Sequence, residues 1–476
     1  MRVLAIGPTW VNYQGGGVWV HTHRAALWLA QHDIQVDVLT ADPPTEPIPD
    51  QPYWAWFPED ERVDVRLTAS RLGAHLNQVE SLYALSKYYQ MLIEDRVYDL
   101  VISLAPDVIP VMANSGVGVP HYVYTHMLEP ITHELGGSFG GARSNQEHQK
   151  ALMLDVNLGI AFSNPYQRKL MLGFDGYKDA AARGQRSALM RPFPPIDPPL
   201  DIPWEDMRDS VFWIGTKTKG SDLVIKFAQA NPELTVDAFF YGSDKQVAEF
   251  LAAIPPNVNA KHGWLEEKTV LKRMRRRKVG LVASRHETYS LITQEHLLYH
   301  PTIVVTDDKP HPWHWYSYFD PCRVGPATKN WTPLVRKWLR DRGTWTRRRQ
   351  KGWTWLAKEA NVDDLVNEWR TLIEEYNKGK KTNPRARVEA ERLLETQPAV
   401  AVYELTQSLG WQDLLGAQRA LVKVKQFLIK IDTPTTTWFA LEDTDAVRQY
   451  IAEREDGAED IAPEESDDYH TLFSNS

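Results

Sequence analysis

Arg2-Val3-Leu4-Ala5-Ile6, a loop holding Gly15-Gly16-Gly17, a run from Val18 to His32, and Val36-Asp37-Val38-Leu39-Thr40 follow one another in the first forty residues. The opening run is short and apolar, which suits a strand buried in a parallel sheet. Val20, Ala25, Leu27, Trp28 and Leu29 give the third segment a helical spacing. Strand, glycine loop, helix and strand in this order make one βαβ unit.

The unit recurs. Strands are expected over 63–67, 99–103, 121–125 and 158–162, with a helix over 76–94. The proline-rich stretch Arg191-Pro192-Phe193-Pro194-Pro195-Ile196-Asp197-Pro198-Pro199 then interrupts the pattern, and its stiffness and missing donors mark a linker. Beyond it the alternation restarts, with strands over 211–214, 236–240, 279–282 and 302–305 and helices over 222–231, 267–278 and 291–300. The pattern predicts an α/β chain with two Rossmann-like, doubly wound domains. After about residue 330 the strand signals stop. Leu365, Val366, Trp369, Leu372, Ile373 and Tyr376 fall at helical spacing within 363–378, residues 385–430 look helical, and acidic residues crowd the end. The expected division is 1–195, 205–360, a helix over 361–380, a helical C-terminal extension over 383–430 and an acidic flexible tail over 431–476.

The 476 residues leave room for two or three domains, and 43% hydrophobic with 24% charged residues excludes wholesale disorder. A single cysteine, Cys322, excludes a disulfide framework or a multi-cysteine metal site and fits a reducing compartment. No apolar run reaches the roughly 18 residues of a membrane span. The first apolar run leads straight into the folded pattern rather than into a signal-peptide cleavage site, so a cytoplasmic location is expected. The net charge of -8 is unevenly distributed. Residues 1–260 hold 20 Lys and Arg against 30 Asp and Glu, residues 261–430 hold 32 against 19, and residues 431–476 hold 2 against 13.

Chemistry concentrates in Ser284-Arg285-His286-Glu287-Thr288-Tyr289-Ser290-Leu291-Ile292-Thr293-Gln294-Glu295, just past the strand at 279–282. Ligands of open α/β sheets bind at the carboxyl ends of strands. Ser290 can cap a helix that Pro301 stops, and the N-terminus of such a helix suits a diphosphate. Glu287 and Glu295 can both face one crevice and accept hydrogen bonds from sugar hydroxyls. A surface loop followed by a solvated helix is the plainer alternative. His21 and His23 could suggest a metal but read better as a helix-surface pair, and no metal is called for.

This segment resembles the E-x7-E signature of retaining, nucleotide-sugar-dependent glycosyltransferases of the GT-B fold, glycosyltransferase family 4-like. The resemblance spans roughly residues 1–378. The Gly15-Gly16-Gly17 loop, Val123-Tyr124-Thr125-His126, Phe162-Ser163-Asn164 and Ile214-Gly215-Thr216-Lys217-Thr218-Lys219-Gly220 are similar to family segments around the donor. Thr216 stands where that family usually has arginine, Ser290 where it has glycine, His296 where it has alanine, and no glycine precedes Pro301. The resemblance implies two domains facing a cleft, and a helix near 378 that crosses back onto the first. It implies that Glu295 holds the nucleotide ribose, Glu287 the sugar hydroxyls, and Lys219 the departing diphosphate, with Lys217 and Arg285 as further cations. Backbone amides of Gly16, Gly17 and Ser290 would add to that charge, with Gly215, Thr216 and Leu291 lining the donor and His126 near the sugar. The implied catalytic group is Glu287, His126 and Lys219. No cofactor is required beyond the nucleotide sugar as co-substrate.

The acceptor stays open. Lys272-Arg273-Met274-Arg275-Arg276-Arg277-Lys278, and eight more Lys and Arg from Arg336 to Lys351, are interleaved with some of the 18 tryptophans. Trp331, Trp338 and Trp345 recur every seven residues. They read as a seam packed against the domain, with Gly343 interrupting the helix. The alternative is a nucleic-acid surface, with transfer to hydroxylated DNA bases and the acidic tail docking on the basic region in its absence. A non-catalytic nucleotide- or carbohydrate-binding protein, or an epimerase of the same fold, are the remaining readings.

Overall fold

Every residue of β1 (Arg2–Ile6) is buried, and its one charged side chain is neutralised within the sheet. Arg2 donates from Nε and Nη2 to the two carboxylate oxygens of Asp37 in the adjacent strand, each at 3.0 Å. The computed structural model describes residues 1–6, 17–40, 62–67, 89, 92–93, 96–104, 122–125, 158–173, 175–263, 265, 267–285, 287, 289–309, 318–377, 384–408, 428–433 and 436–459. The expected helix at 76–94 falls almost wholly outside them. Among the described residues no helix is long and apolar enough to cross a membrane.

β1, β2 (Gln35–Thr40), β3 (Val63–Leu67), β4 (Leu100–Ser103), β5 (Tyr122–Thr125), β6 (Gly159–Phe162) and β7 (Ser187–Leu189) form one parallel sheet in the order β3-β2-β1-β4-β5-β6-β7. After the proline-rich linker, β8 (Arg208–Gly215), β9 (Val236–Phe240), β10 (Val258–His262), β11 (Arg277–Val282), β12 (Thr302–Thr306) and β13 (Arg323–Pro326) form a second, in the order β10-β9-β8-β11-β12-β13. The order reverses between β1 and β4 in the first sheet and between β8 and β11 in the second. These reversals are the switch points where doubly wound sheets take their ligands. Both sheets fall in one compact unit, comprising Met1–Leu85, Leu100–Val111 and Val119–Glu374.

Two boundaries differ from the sequence reading for one reason. The helix Glu267–Met274 ends four residues early, and β11 starts at Arg277 instead of Val279. Arg277 and Lys278 look like the end of a charged helix, but each enters the sheet already paired. Arg277 Nε donates to Asp237 at 2.9 Å, and Lys278 Nζ donates to Asp209 at 2.5 Å. β13 went unread because Arg323-Val324-Gly325-Pro326 is a short edge strand ending in proline.

Trp331, Trp338 and Trp345 all join the buried cluster beneath the second sheet, with Trp213, Phe227 and Val335. The packed seam is therefore observed, although on two helices. Thr332–Arg340 stops at Asp341, whose side chain accepts from the Thr344 amide at 3.0 Å and starts Arg342–Glu359. The next helix, Val362–Asn377, returns to the first sheet's side. Arg370 donates to the His32 carbonyl at 3.1 Å, and Glu368 accepts from Arg191 at the linker's start through Nε at 2.7 Å and the backbone amide at 2.9 Å. Arg191 also reaches the Glu359 carbonyl at 3.1 Å, so the linker is tied to both C-terminal helices of this unit.

The second unit comprises Ser86–Asp99, Met112–Gly118 and Glu375–Ser476, and it corrects two expectations. The region read as a purely helical extension contains the helix Pro384–Leu394, β14 (Ala399–Ala401) and the helix Val402–Ser408. The stretch read as a flexible tail from 431 completes β15 (Ile429–Asp432) and adds β16 (Thr437–Ala440) and the helix Asp445–Glu459. β16 lies between antiparallel β14 and β15. Alternation along β16 puts Phe439 against Val97, Ala390, Val400 and Leu405, and Trp438 against Val447 and Ile451. Acidic composition misled because only two side chains of the last helix, Val447 and Ile451 at i and i+4, need be apolar to seat it. Residues 460–476 lie outside the described set.

Candidate functional site

β8 and β11 are neighbours at the second switch point, and the connections leaving their carboxyl ends meet. Gly220 makes this possible. Its φ is +79°, and a Cβ there would lie 1.9 Å from the Ala283 carbonyl oxygen, so only glycine fits. Gly215 is nearly as constrained, because a Cβ would approach the Trp213 ring at 2.8 Å and Lys219 Cβ at 2.9 Å. Between them, Thr216 leads a 3-10 turn in which the Lys219 amide donates to the Thr216 carbonyl at 3.1 Å. The fold-back brings Lys219 Nζ to 2.6 Å from Glu287 Oε1. Lys219 stays 44% exposed while Glu287 is 10% exposed, so the cation is open to a ligand and the carboxylate is held behind it.

Ser290 caps the helix Leu291–Tyr299 as expected, accepting from the Thr293 amide at 3.3 Å. The Leu291 and Ile292 amides precede the first intrahelical acceptor, since those of Thr293 and Gln294 donate to the Ser290 carbonyl, and they lie at the positive end of the helix dipole. The same helix packs tightly on β11, where a Cβ on Gly280 would meet the His296 and His300 rings at 2.7 Å. Burial holds both imidazoles below their usual range, His296 at about 3. They are neutral packing groups.

Glu295, one turn into that helix, is almost fully buried and accepts from Arg24 Nη2. Arg24 lies on the helix Gly17–Ala30 of the first sheet, and also donates to Glu267 Oε1 from Nη2 at 2.6 Å and from Nε at 2.9 Å. One guanidinium thus serves two carboxylates. Burial pushes Glu295 up to about 7 against the pull of Arg24, and the charge of Glu267 adds to the rise. Between the ordinary value of 4.5 and about 7, the folded chain keeps a proton that the unfolded chain has released. Stability therefore falls as pH rises through that window and levels above it. Glu295→Gln should flatten the slope. Denaturation at pH 5 and pH 7.5 should show the wild type losing on the order of 1–3 kcal/mol more than the variant, and equal slopes would remove the assignment.

The other expected cations are differently placed. Lys217 reaches Glu249 at 3.4 Å on the surface. Arg285 is gripped by two carboxylates, donating to Asp222 at 2.9 and 2.6 Å and to Asp307 at 2.7 and 3.0 Å. It braces the 283–290 loop, and its pKa is raised by those hydrogen bonds. Gly17 opens its helix, while Gly16 and His126 lie outside the described residues. His21 is not on a helix surface. It is buried and stacked on Tyr124 at 4.5 Å, and burial lowers it to about 3.

Sequence reasoning missed Arg24, Glu267, Asp222 and Asp307. Arg24 did carry a signal: it is the only Lys, Arg, Asp or Glu between Gly17 and Ala30. The basic stretches also change meaning. Arg336 pairs with Glu233, Arg342 with Glu205 at 2.6 Å, and Arg349 with Asp201, in addition to the Arg277 and Lys278 pairs. Arg349 further lies 4.0 Å over the Trp353 ring. Opposite charges separated along the sequence meet within one domain, which reduces the cationic surface left for an anionic polymer.

The sequence matches no protein-family model and no curated protein. Solved structures do match. Anabaena HepE, in complex with UDP and glucose, aligns with a TM-score of 0.55 at 12% identity, covering 79% of this chain and 99% of that one. Sucrose-phosphate synthase from Thermosynechococcus elongatus gives 0.57 at 14%, over 79% and 99%. An α-glucosyltransferase in complex with UDP and a 13-mer DNA containing a HMU base gives 0.50 at 14%, over 78% and 99%. At these identities the likeness is one of architecture, and the two Rossmann-like sheets with their helices have the GT-B fold.

Proposed function

We infer that the chain is a retaining glycosyltransferase that takes a sugar from a nucleoside-diphosphate donor, with UDP as the first nucleotide to test. The observation that carries this reading is the Lys219–Glu287 pair at the second switch point, beside the helix that begins after Ser290. A cation 44% exposed and a carboxylate behind it suit a ligand that is anionic on one side and hydroxylated on the other. In the proposed reaction the bond between the anomeric carbon and the diphosphate oxygen breaks, and the diphosphate leaves with the electron pair. Lys219 and the first amides of the Leu291–Tyr299 helix stabilise that charge. The acceptor hydroxyl adds on the same face and gives its proton to a leaving-phosphate oxygen. Glu287 holds sugar hydroxyls and Glu295 the ribose. The scheme needs no cofactor besides the donor.

The pairing of Arg277, Lys278, Arg336, Arg342 and Arg349 with acidic partners takes support from a DNA acceptor. A hydroxyl acceptor of unspecified class is therefore the reading retained. Thermal shift with a panel of nucleoside diphosphates and their sugars, followed by NMR of the product anomer, tests the proposal. A ligand at 100 times its Kd should add about 2.7 kcal/mol of stability. Donor turnover with retained configuration is expected. Binding without any turnover would favour a carbohydrate- or nucleotide-binding protein, and no binding at all would end the reading.

A further inference from the structure

The Arg24 guanidinium is fully buried, yet its Nη1 has no hydrogen-bond partner among the described residues. A buried N–H left unpaired costs free energy that an incoming acceptor can recover. The rest of the group is fully engaged: Nε and Nη2 hold Glu267, and Nη2 also holds Glu295. The residue stands on the helix beside the first sheet, and both carboxylates stand on helices of the second. Two carboxylates share one guanidinium, Glu267 25% exposed and Glu295 buried, so the charged form of Glu295 is short of donors unless further ones arrive. Hydroxyl groups are such donors, and Arg24 Nη1 is in turn a donor for their oxygens.

We propose that Arg24 is a donor-positioning residue that reaches across from the first Rossmann-like domain. It orients the Glu295 carboxylate toward the vicinal hydroxyls of the nucleotide ribose and gives its spare Nη1 hydrogen to an oxygen of the same nucleotide. Glu267 is the second anchor that fixes the guanidinium plane. This rests on the assignment of Glu295 to the ribose and deepens it. A lysine could supply the charge at position 24 but not the planar fork that joins two carboxylates, so Arg and Lys are not equivalent here.

Calorimetric titration of the full chain with UDP and with 2′-deoxy-UDP separates the possibilities. The wild type should prefer UDP by about tenfold or more, because a site built to pair a hydroxyl rejects the ligand lacking it. In Arg24→Gln, UDP should bind about 10–100-fold more weakly and the preference over 2′-deoxy-UDP should collapse toward unity. Arg24→Lys should recover part of the affinity and little of the preference. Should Arg24→Gln fail to fold, Glu267→Gln keeps Arg24 in place and should cost UDP affinity by about fivefold. Unchanged or tighter UDP binding in Arg24→Gln or Glu267→Gln, or an undiminished preference for the ribonucleotide in Arg24→Gln, overturns the proposal. A wild type that binds no nucleoside diphosphate overturns the glycosyltransferase reading itself. Weakening by Lys219→Ala alone, with both Arg24 and Glu267 variants normal, removes only the role given to Arg24.

Discussion

Lys219→Ala is expected to lower the rate of sugar transfer by about 10²–10³-fold while moving the melting temperature by no more than about 2 °C. The two halves of that expectation have separate causes. Lys219 is 44% exposed, so its pair with Glu287 is solvent-screened and contributes little to folding. A charge that develops on a leaving diphosphate, by contrast, needs a cation already in place. The alternatives nearby are engaged: Arg285 is held by Asp222 and Asp307, and Lys217 sits on the surface with Glu249. Lys219→Arg should retain part of the rate. Steady-state kinetics with the best donor, alongside a melting curve, checks both halves. A Lys219→Ala enzyme with undiminished turnover would falsify the site assignment.

Gly220→Ala should be the most damaging single methyl group in the second domain. Gly220 combines a left-handed backbone with a Cβ position 1.9 Å from the Ala283 carbonyl oxygen. The conformation alone costs an L-residue about 1–2 kcal/mol, and the overlap with backbone cannot be relieved by turning a side chain. A total loss of about 2–4 kcal/mol is expected in chemical denaturation. Activity should fall with it, because the turn carrying Lys219 must lift away from the loop carrying Glu287. Gly184 is the useful control. It also has a positive φ, of +97°, but a Cβ there meets nothing within 4 Å. Gly184→Ala should therefore cost only the conformational part and leave transfer intact.

Much of this arrangement is legible in the amino-acid sequence. β9 runs from Val236 to Phe240 as the residues suggest, because Val236, Ala238, Phe239 and Phe240 supply the buried apolar run and its one charge, Asp237, is paired with Arg277. Ser290 signals its cap, whereas the pairing of Lys219 with Glu287, 68 residues apart, is visible only in the fold. What stayed hidden depended on charge meeting charge at long range. Arg277 and Lys278 looked like helix, since nothing local announces Asp237 and Asp209 as partners. Arg24 and Glu295 are 271 residues apart, and the local pattern around Arg24 is simply an apolar helix with one exception in it. The folded end of the chain was missed for a different reason: average composition conceals two well-spaced apolar residues such as Val447 and Ile451.

The make-up of the second unit bears on how the chain reaches its native state during synthesis. The Val97 amide donates to the Thr437 side chain at 3.2 Å, across 340 residues. At a ribosomal rate of about 5–20 residues per second, that partner emerges on the order of 20–70 s after Val97 does. The early strands of the first sheet, from Arg2 to Leu67, have no such wait. The other members of the Val97 cluster, Ala390, Val400, Val402, Leu405, Leu428 and Phe439, all arrive with the last hundred residues, after both Rossmann-like sheets have been made. A chain cut after Asn377 would never supply them, leaving Val97 without the Phe439 side of its core.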